Sequence, residues 1–272
     1  MNNIKNDTLE LAEYYDLISD SQYELGLILI DLMKITVGDI VLDVGCGTGR
    51  LAFHVSGLVG SAGKMIGIDP SPHRIQVASN KLKASAADNI SFAMGQGETL
   101  DGFKDCTFSG VYYCAVFHWI EDQQAALKEA FRVLRPGGTV GITSRNRDHL
   151  SLSRTIAREC IEKHSEAMRD YTADTHSARA HWAGQEELEA LLTNAGFVNI
   201  RFESQHRTHY FKSSEEYFAF LKASAFGQSS RLPEPIRQEM ARKVAEKLEK
   251  KRTPLGIELH SSSLFAIARK KA

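Results

Sequence analysis

Nine residues concentrate more chemistry than any other stretch of the chain. Leu42-Asp43-Val44-Gly45-Cys46-Gly47-Thr48-Gly49-Arg50 sets three alternating glycines behind one carboxylate. Glycines spaced this way let the backbone turn left-handed and approach a ligand closely. The run Gly47-x-Gly49-x-x-Ala52 also satisfies the dinucleotide spacing, in which a helix start receives a pyrophosphate. Asp43 argues against phosphate, because a carboxylate at the start of such a cradle repels it. It suits a ligand that brings positive charge. A second acid, Asp69, stands about twenty residues past the last glycine, where an acid takes ribose hydroxyls in nucleotide folds. Pro70 and Ser71 follow it, and Gly95-Gln96-Gly97-Glu98 and Phe117-His118-Trp119 come further on. A histidine there has an ordinary pKa suited to proton transfer near neutrality.

These residues need elements to hold them. Ile40–Val44 reads as a buried strand that runs into the glycines, and Arg50–Leu58 as the helix after them. A second strand, Lys64–Ile68, is stopped by Asp69-Pro70-Ser71-Pro72, and proline near a helix start is well tolerated, so a helix from Pro72 to about Ala86 is expected. Ile90–Met94 and Gly110–Val116 read as strands three and four. Leu127, Ala130, Phe131 and Leu134 form the stripe of a helix over Ile120–Leu134, ended by Arg135-Pro136-Gly137-Gly138, and Thr139–Thr143 is strand five. Five alternations of strand and helix imply a mostly parallel sheet covered on both faces. His118 then falls at the carboxyl edge, where open sheets bind ligands. Before the glycines, residues 21–34 read as a helix with Ser21 available as its cap. After strand five the rhythm breaks. Residues 145–183 and 206–260 read as helical insertions, the second opening with Ser213 or Ser214 before Glu216 as a capping signal. Between and after them lie a helix stripe over Leu188–Ala195 and strands at Phe197–Phe202 and Ser263–Ala268.

Asp43-Val44-Gly45-Cys46-Gly47-Thr48-Gly49 resembles motif I of class I S-adenosylmethionine methyltransferases. Asp69, the Gly95–Glu98 stretch, the fourth strand leading into Phe117-His118-Trp119, and Phe131–Gly138 ("FRVLRPGG") agree with that family in order and spacing. The resemblance is close over residues 38–143 and looser over 184–203. It implies an α/β, Rossmann-like fold: a mostly parallel seven-stranded sheet with helices on both faces and a helical cap. It divides a single methyltransferase domain, 1–272, into an N-terminal helical cap segment 1–37 and a cofactor-binding core 38–144. Insertions at 145–183 and 206–260 follow, with 184–205 and 261–272 completing the core. It implies S-adenosylmethionine as cofactor, held by Asp43, Gly45, Cys46, Gly47, Thr48, Gly49, Asp69, Pro70, Ser71, Gln96, Gly97, Glu98 and Ala115. Gln96 stands where many relatives have Asp, and Ser109-Gly110 replaces a Phe-Asp pair at the fourth strand. The implied reaction is methyl transfer to oxygen or carbon of a small molecule, the alternatives being methylation of a tRNA or a protein side chain, or cofactor binding without catalysis. "VFHWIED" and the late insertion resemble the branch with trans-aconitate and malonyl-carrier-protein carboxyl methyltransferases. Ubiquinone/menaquinone C-methyltransferases are a neighbouring branch, and the scattered cysteines disfavour arsenite methyltransferases.

Other positions have two readings each. His118 is either a general base or a packed ring, and Trp119 either packing or a wall of the adenosine pocket. Tyr14, Tyr15 and Tyr23 either close over the cofactor or pin an N-terminal helix. His176, Arg179, His181 and Trp182 cluster in the first insertion, with Arg179 a substrate-facing candidate. No acid or cysteine completes a ligand set there, so no metal is expected. From Arg242 to Arg252, lysines alternate with Glu246 and Glu249, the pattern of a salt-bridged solvated face rather than an RNA site.

Composition narrows the classes. The 272 residues are 43% hydrophobic and 25% charged with a net charge of −1, which offers no general pull on nucleic acid or an anionic membrane. The longest aliphatic run, Leu25–Ile30, is far too short to span a bilayer, and Met1–Leu11 is too polar for a signal peptide. The four cysteines have no paired spacing, as expected of a reducing compartment. A cytoplasmic enzyme acting on a small molecule, without nucleic-acid or membrane partners, is the expectation.

Overall fold

The structure is a computed structural model that describes residues 7–146, 155–156, 159, 162–163, 181–224 and 234–272. Arg179 and His176, and most of the insertion at 145–183, lie outside the described residues. Two helices come first, α1 (Leu9–Ile18) and α2 (Asp20–Met33). Then follow β1 (Ile40–Val44), α3 (Arg50–Val59), β2 (Lys64–Asp69), α4 (Pro72–Lys83), β3 (Ile90–Met94) and β4 (Phe108–Cys114). A short 3-10 turn, Phe117–Trp119, leads to α5 (Gln123–Val133) and β5 (Leu134–Arg145). The remainder is α6 (Gln185–Asn194), β6 (Val198–Phe211), α7 (Ser214–Ser224), α8 (Glu234–Glu249), β7 (Arg252–Thr253) and β8 (Gly256–Arg269).

The strands form one sheet in the order β3-β2-β1-β4-β5-β8-β6, with the two-residue β7 beside β8. β3 to β5 are parallel, and β8 is antiparallel to both β5 and β6. One face buries Val41, Met65, Tyr112 and Phe265 under Leu29 and Met33 of α2 and Leu51 and Val55 of α3. The other buries Leu42, Val111, Tyr113 and Val140 under Leu127 and Ala130 of α5 and Leu188 and Leu192 of α6. The α2 layer sits tight on the sheet: a Cβ on Gly141 would fall 2.4 Å from Met33 Sδ. A third, smaller cluster joins Tyr217 of α7 and Val244 and Leu248 of α8 to Ile257 of β8.

Local expectations fail in three places, each for a physical reason. Ser21 does not cap α2; its hydroxyl bonds Gln22 Oε1, and Ser19 occupies the cap position without a side-chain capping bond. Arg135–Gly138 does not separate helix from strand. β5 starts directly at Leu134, and the four residues form an irregularity in its pairing with β4, where Phe108 faces Leu134 and Gly110 already faces Thr139. Residues 206–211 and 256–260 are strand rather than helix. Here Thr208, Tyr210 and Phe211 favour an extended chain, and pairing from His206–Ser262 to Phe211–Ile257 extends the β6/β8 ladder. The capping signal does form, with Ser213 Oγ accepting the Glu216 N–H at 3.3 Å. Charged side chains on α8 pair as Arg242–Glu246 and Lys243–Glu239, and Arg252 pairs with Glu249.

Candidate active site

The glycine turn joins β1 to α3 at the carboxyl edge of the sheet. Gly45, Gly47 and Gly49 have φ of 81°, 55° and 82°, a region that strains any residue with a Cβ. Space adds to the requirement at two of them. A Cβ on Gly45 would lie 2.3 Å from Val116 Cγ2, and one on Gly49 2.7 Å from Phe92 Cζ. At Gly47 the nearest atom would be Tyr15 Cε1 at 3.8 Å, so this glycine faces open space below a tyrosine. Backbone bonds from Gly45 and Cys46 N–H to the Ile68 carbonyl tie the turn to β2.

Two carboxylates are buried beside the turn. Asp69, at the end of β2, accepts the Gly47 N–H at 2.9 Å on one oxygen and the Ser71 N–H at 2.8 Å on the other. Burial pushes its pKa up, against the Arg74 guanidinium and these two N–H bonds. Asp43 accepts the Tyr112 hydroxyl at 2.9 Å. Burial pushes its pKa up to about 8, opposed by the Tyr112 bond and reinforced by Asp69. Burial also pushes the Cys46 thiol well up, so it is a packed neutral group.

The groove around these acids is lined by Tyr15, Ser19, Gln22, Tyr23, Asp43 and Gly45 to Thr48. Arg50, Leu51, Asp69, Arg74, Cys114 to Val116, Trp119 and Ser224 complete it. Ala115, the hinge out of β4, holds φ at 54°; a non-glycine in that region stores about 1–3 kcal/mol of strain and recurs at ligand sites. Of the positions singled out in the sequence, the groove thus gathers Asp43, Gly45, Cys46, Gly47, Thr48, Asp69, Ala115, Tyr15, Tyr23 and Trp119. Gly49 lies behind it as the N-cap of α3. Ser71 caps α4 and donates to Asp7 at 2.6 Å, next to the half-buried Pro70. Gln96 bridges to Thr99, Gly97 packs near Ile120, and Glu98 accepts the Glu121 N–H. Tyr14 is exposed.

His118 is buried outside the groove lining. Its ring stacks on Trp182 at 3.8 Å and 13°, and lies 4.7 Å from the Trp119 ring, tilted by 50°. The His118 carbonyl accepts the His181 N–H, which anchors the chain segment carrying Trp182.

Sequence reasoning missed the groups that fasten α1 over the turn. Asp16 accepts the Thr48 hydroxyl at 2.6 Å and Lys81 Nζ at 2.7 Å. Arg50 reaches the Asp16 carbonyl, Ser19 and Asp20. Asp7 forms a buried ion pair with Arg74 at 3.1 Å, and that guanidinium lies 4.3 Å from the Tyr15 ring centre. Arg74 falls one turn into α4, three residues after a cap serine, and only the fold shows that this turn faces the glycines.

The donor set fits a cationic nucleoside cofactor. The glycine cradle leaves room for a backbone-hugging ligand, and an ionised carboxylate can accept about four hydrogen bonds. Asp69 therefore keeps capacity for a ribose diol beside its two N–H donors. Two buried acids at one groove ionise beside a positive ligand and gain nothing from a negative one, which favours positive charge over pyrophosphate.

Comparison with known proteins agrees. The family model for a methyltransferase domain matches residues 35–213. The 2-phytyl-1,4-beta-naphthoquinone methyltransferase of Arabidopsis thaliana is 34% identical over 59% of this chain and 64% of its own length, somewhat under two thirds. The ubiquinone/menaquinone biosynthesis C-methyltransferase UbiE of Hahella chejuensis is 33% identical over 71% of this chain and 82% of that protein. Among solved structures, the YcgJ protein of Bacillus subtilis has a similar fold, with a TM-score of 0.63 at 17% identity over 91% of this chain and 98% of that one. The chain belongs to the family of S-adenosylmethionine-dependent methyltransferase domains.

Proposed function

We propose that this protein transfers a methyl group from S-adenosylmethionine to oxygen or carbon of a small planar acceptor, a ring of the quinol type. The observation that carries the reading is the continuity of the site. Trp119 lines the groove that holds both acids, and its ring neighbours that of His118, which stacks on Trp182. Relatives named as quinone methyltransferases support the acceptor class.

When bound, the cofactor supplies a methyl on a sulfonium. The chain's residues bind and orient. Asp69 takes the ribose hydroxyls, and ionised Asp43 faces the positive end. Tyr15 and Tyr23 cover the groove from α1 and α2, excluding water, while collinear placement of acceptor and methyl supplies much of the acceleration. His118, buried and stacked on Trp182, backs Trp119 at the groove lining. An acceptor that is already anionic needs no base. The cytoplasm is the proposed compartment, in keeping with the free Cys46, Cys106 and Cys114.

Calorimetry with S-adenosylmethionine, S-adenosylhomocysteine and NAD tests the cofactor. The first two should bind and NAD should not. Asp69→Asn should weaken both by about tenfold or more, the worth of charge-assisted bonds at about 1.5–3 kcal/mol. Methyl-labelled cofactor and size-fractionated cell extract test the acceptor. Label in the low-mass fraction supports the reading, and label in RNA or protein overturns it.

A further inference from the structure

Arg145 is the last residue of β5, paired with Ser263 of β8. Its guanidinium is partly buried and lies 6.0 Å from the centre of the Trp182 ring, at the far end of the row that begins at Trp119. Burial lowers its pKa, with Tyr217 of α7 the one opposing influence among the described residues. No carboxylate of the described residues lies within ion-pair distance of it. Among the described residues, the groups that interact with Arg145 are neutral or basic. His209 of β6 bonds Ser261 Oγ at 2.8 Å, and burial together with Arg145 and Arg207 lowers its pKa. Arg207 is already taken by Glu24 at 2.8 Å.

Charges withdrawn from water are ordinarily paired, because a buried charge left alone forfeits its hydration with nothing in return. Among the described residues, His209 feels both Arg145 and Arg207, and Glu24, the acid beside them, pairs with Arg207. A guanidinium presents a planar fork that matches an anionic oxygen pair. We infer that Arg145 is the anion-recognising residue of the acceptor pocket. The methyl acceptor carries an anionic oxygen, a carboxylate or an ionised ring hydroxyl, that binds this guanidinium while the planar part lies along the row of rings. This rests on the methyltransferase reading and narrows it: the acceptor is an acid, and its charge sets its orientation relative to the cofactor groove.

The test uses the full chain loaded with S-adenosylhomocysteine and three probes in calorimetry: 2-naphthoate, 2-naphthol and the neutral 2-naphthamide. At least one acid should bind tenfold or more tighter than the amide, and which one does assigns carboxylate or ring hydroxylate. Arg145→Met should abolish the preference and leave S-adenosylhomocysteine affinity unchanged. Arg145→Lys, which keeps charge but loses the fork, should retain part of it and serves if the Met variant does not fold. Equal binding of all three probes, binding of none at millimolar concentration, or a preference that survives in both variants overturns the proposal. Failure of the unaltered protein to bind S-adenosylhomocysteine would instead sink the cofactor reading.

Discussion

Asp43 and Tyr112 face each other in the register of β1 and β4, and their hydrogen bond sets the electrostatics of the groove. Folded, the Asp43 carboxyl holds its proton up to about pH 8; its ordinary value is 3.8. The folded state therefore binds more proton than the unfolded chain between those values, and stability falls as pH rises from about 4 to about 8. A cationic cofactor favours the ionised acid, so its binding should release a proton. Affinity should rise with pH toward 8, by at most about tenfold per pH unit. Calorimetry at pH 6.5 in buffers of different ionisation enthalpy measures that release. In Tyr112→Phe the bond that holds the pKa down is gone, and release should persist to higher pH. An affinity flat from pH 6 to 8 would remove Asp43 from contact with the cation. Asp43 and Asp69 were legible because spacing from the glycines announced them. Tyr112 was not, since its partner is fixed by strand register and lies 69 positions away.

Among the elements, α1 is a strap across the groove. Its underside is fastened at Asp16 to Thr48 of the turn and Lys81 of α4, and the Asp7 pair with Arg74 secures the segment before it. The second fastening is buried and the first is half exposed, so Asp16 is the end that yields first. Asp16→Asn should speed S-adenosylhomocysteine release severalfold in stopped-flow displacement while thermal stability changes little. An unchanged off-rate would mean that the ligand enters elsewhere. The amphipathic helices and buried strands of the core could be read from their periods, because one face or both had to be apolar. The strap could not, because its fastenings are polar contacts between segments distant in sequence. Nor could the extension of β6 and β8, whose alternation becomes meaningful only when each strand has the other beside it.

The half-sheet from β3 to β5 follows from the alternation of strand and helix, whereas the antiparallel β8 and the order of the last strands have no such alternation to announce them. The α2 layer depends on glycine at the sheet surface. Gly141→Ala should lower unfolding free energy by about 1–3 kcal/mol, the usual range for overpacking, with cofactor affinity nearly unchanged. Urea unfolding measures it, and equal stability would mean that Met33 yields without strain. The same whole-molecule view gives the row of rings another meaning. The chain holds two tryptophans, and both touch His118. Selectively excited indole emission from the entire protein therefore comes from one locus, the rings packed around His118. Any event that parts His118 from Trp182, or seats a ring beside them, alters the optical signal of the whole protein, so the molecule carries its own reporter dye at the place where its acceptor is chosen.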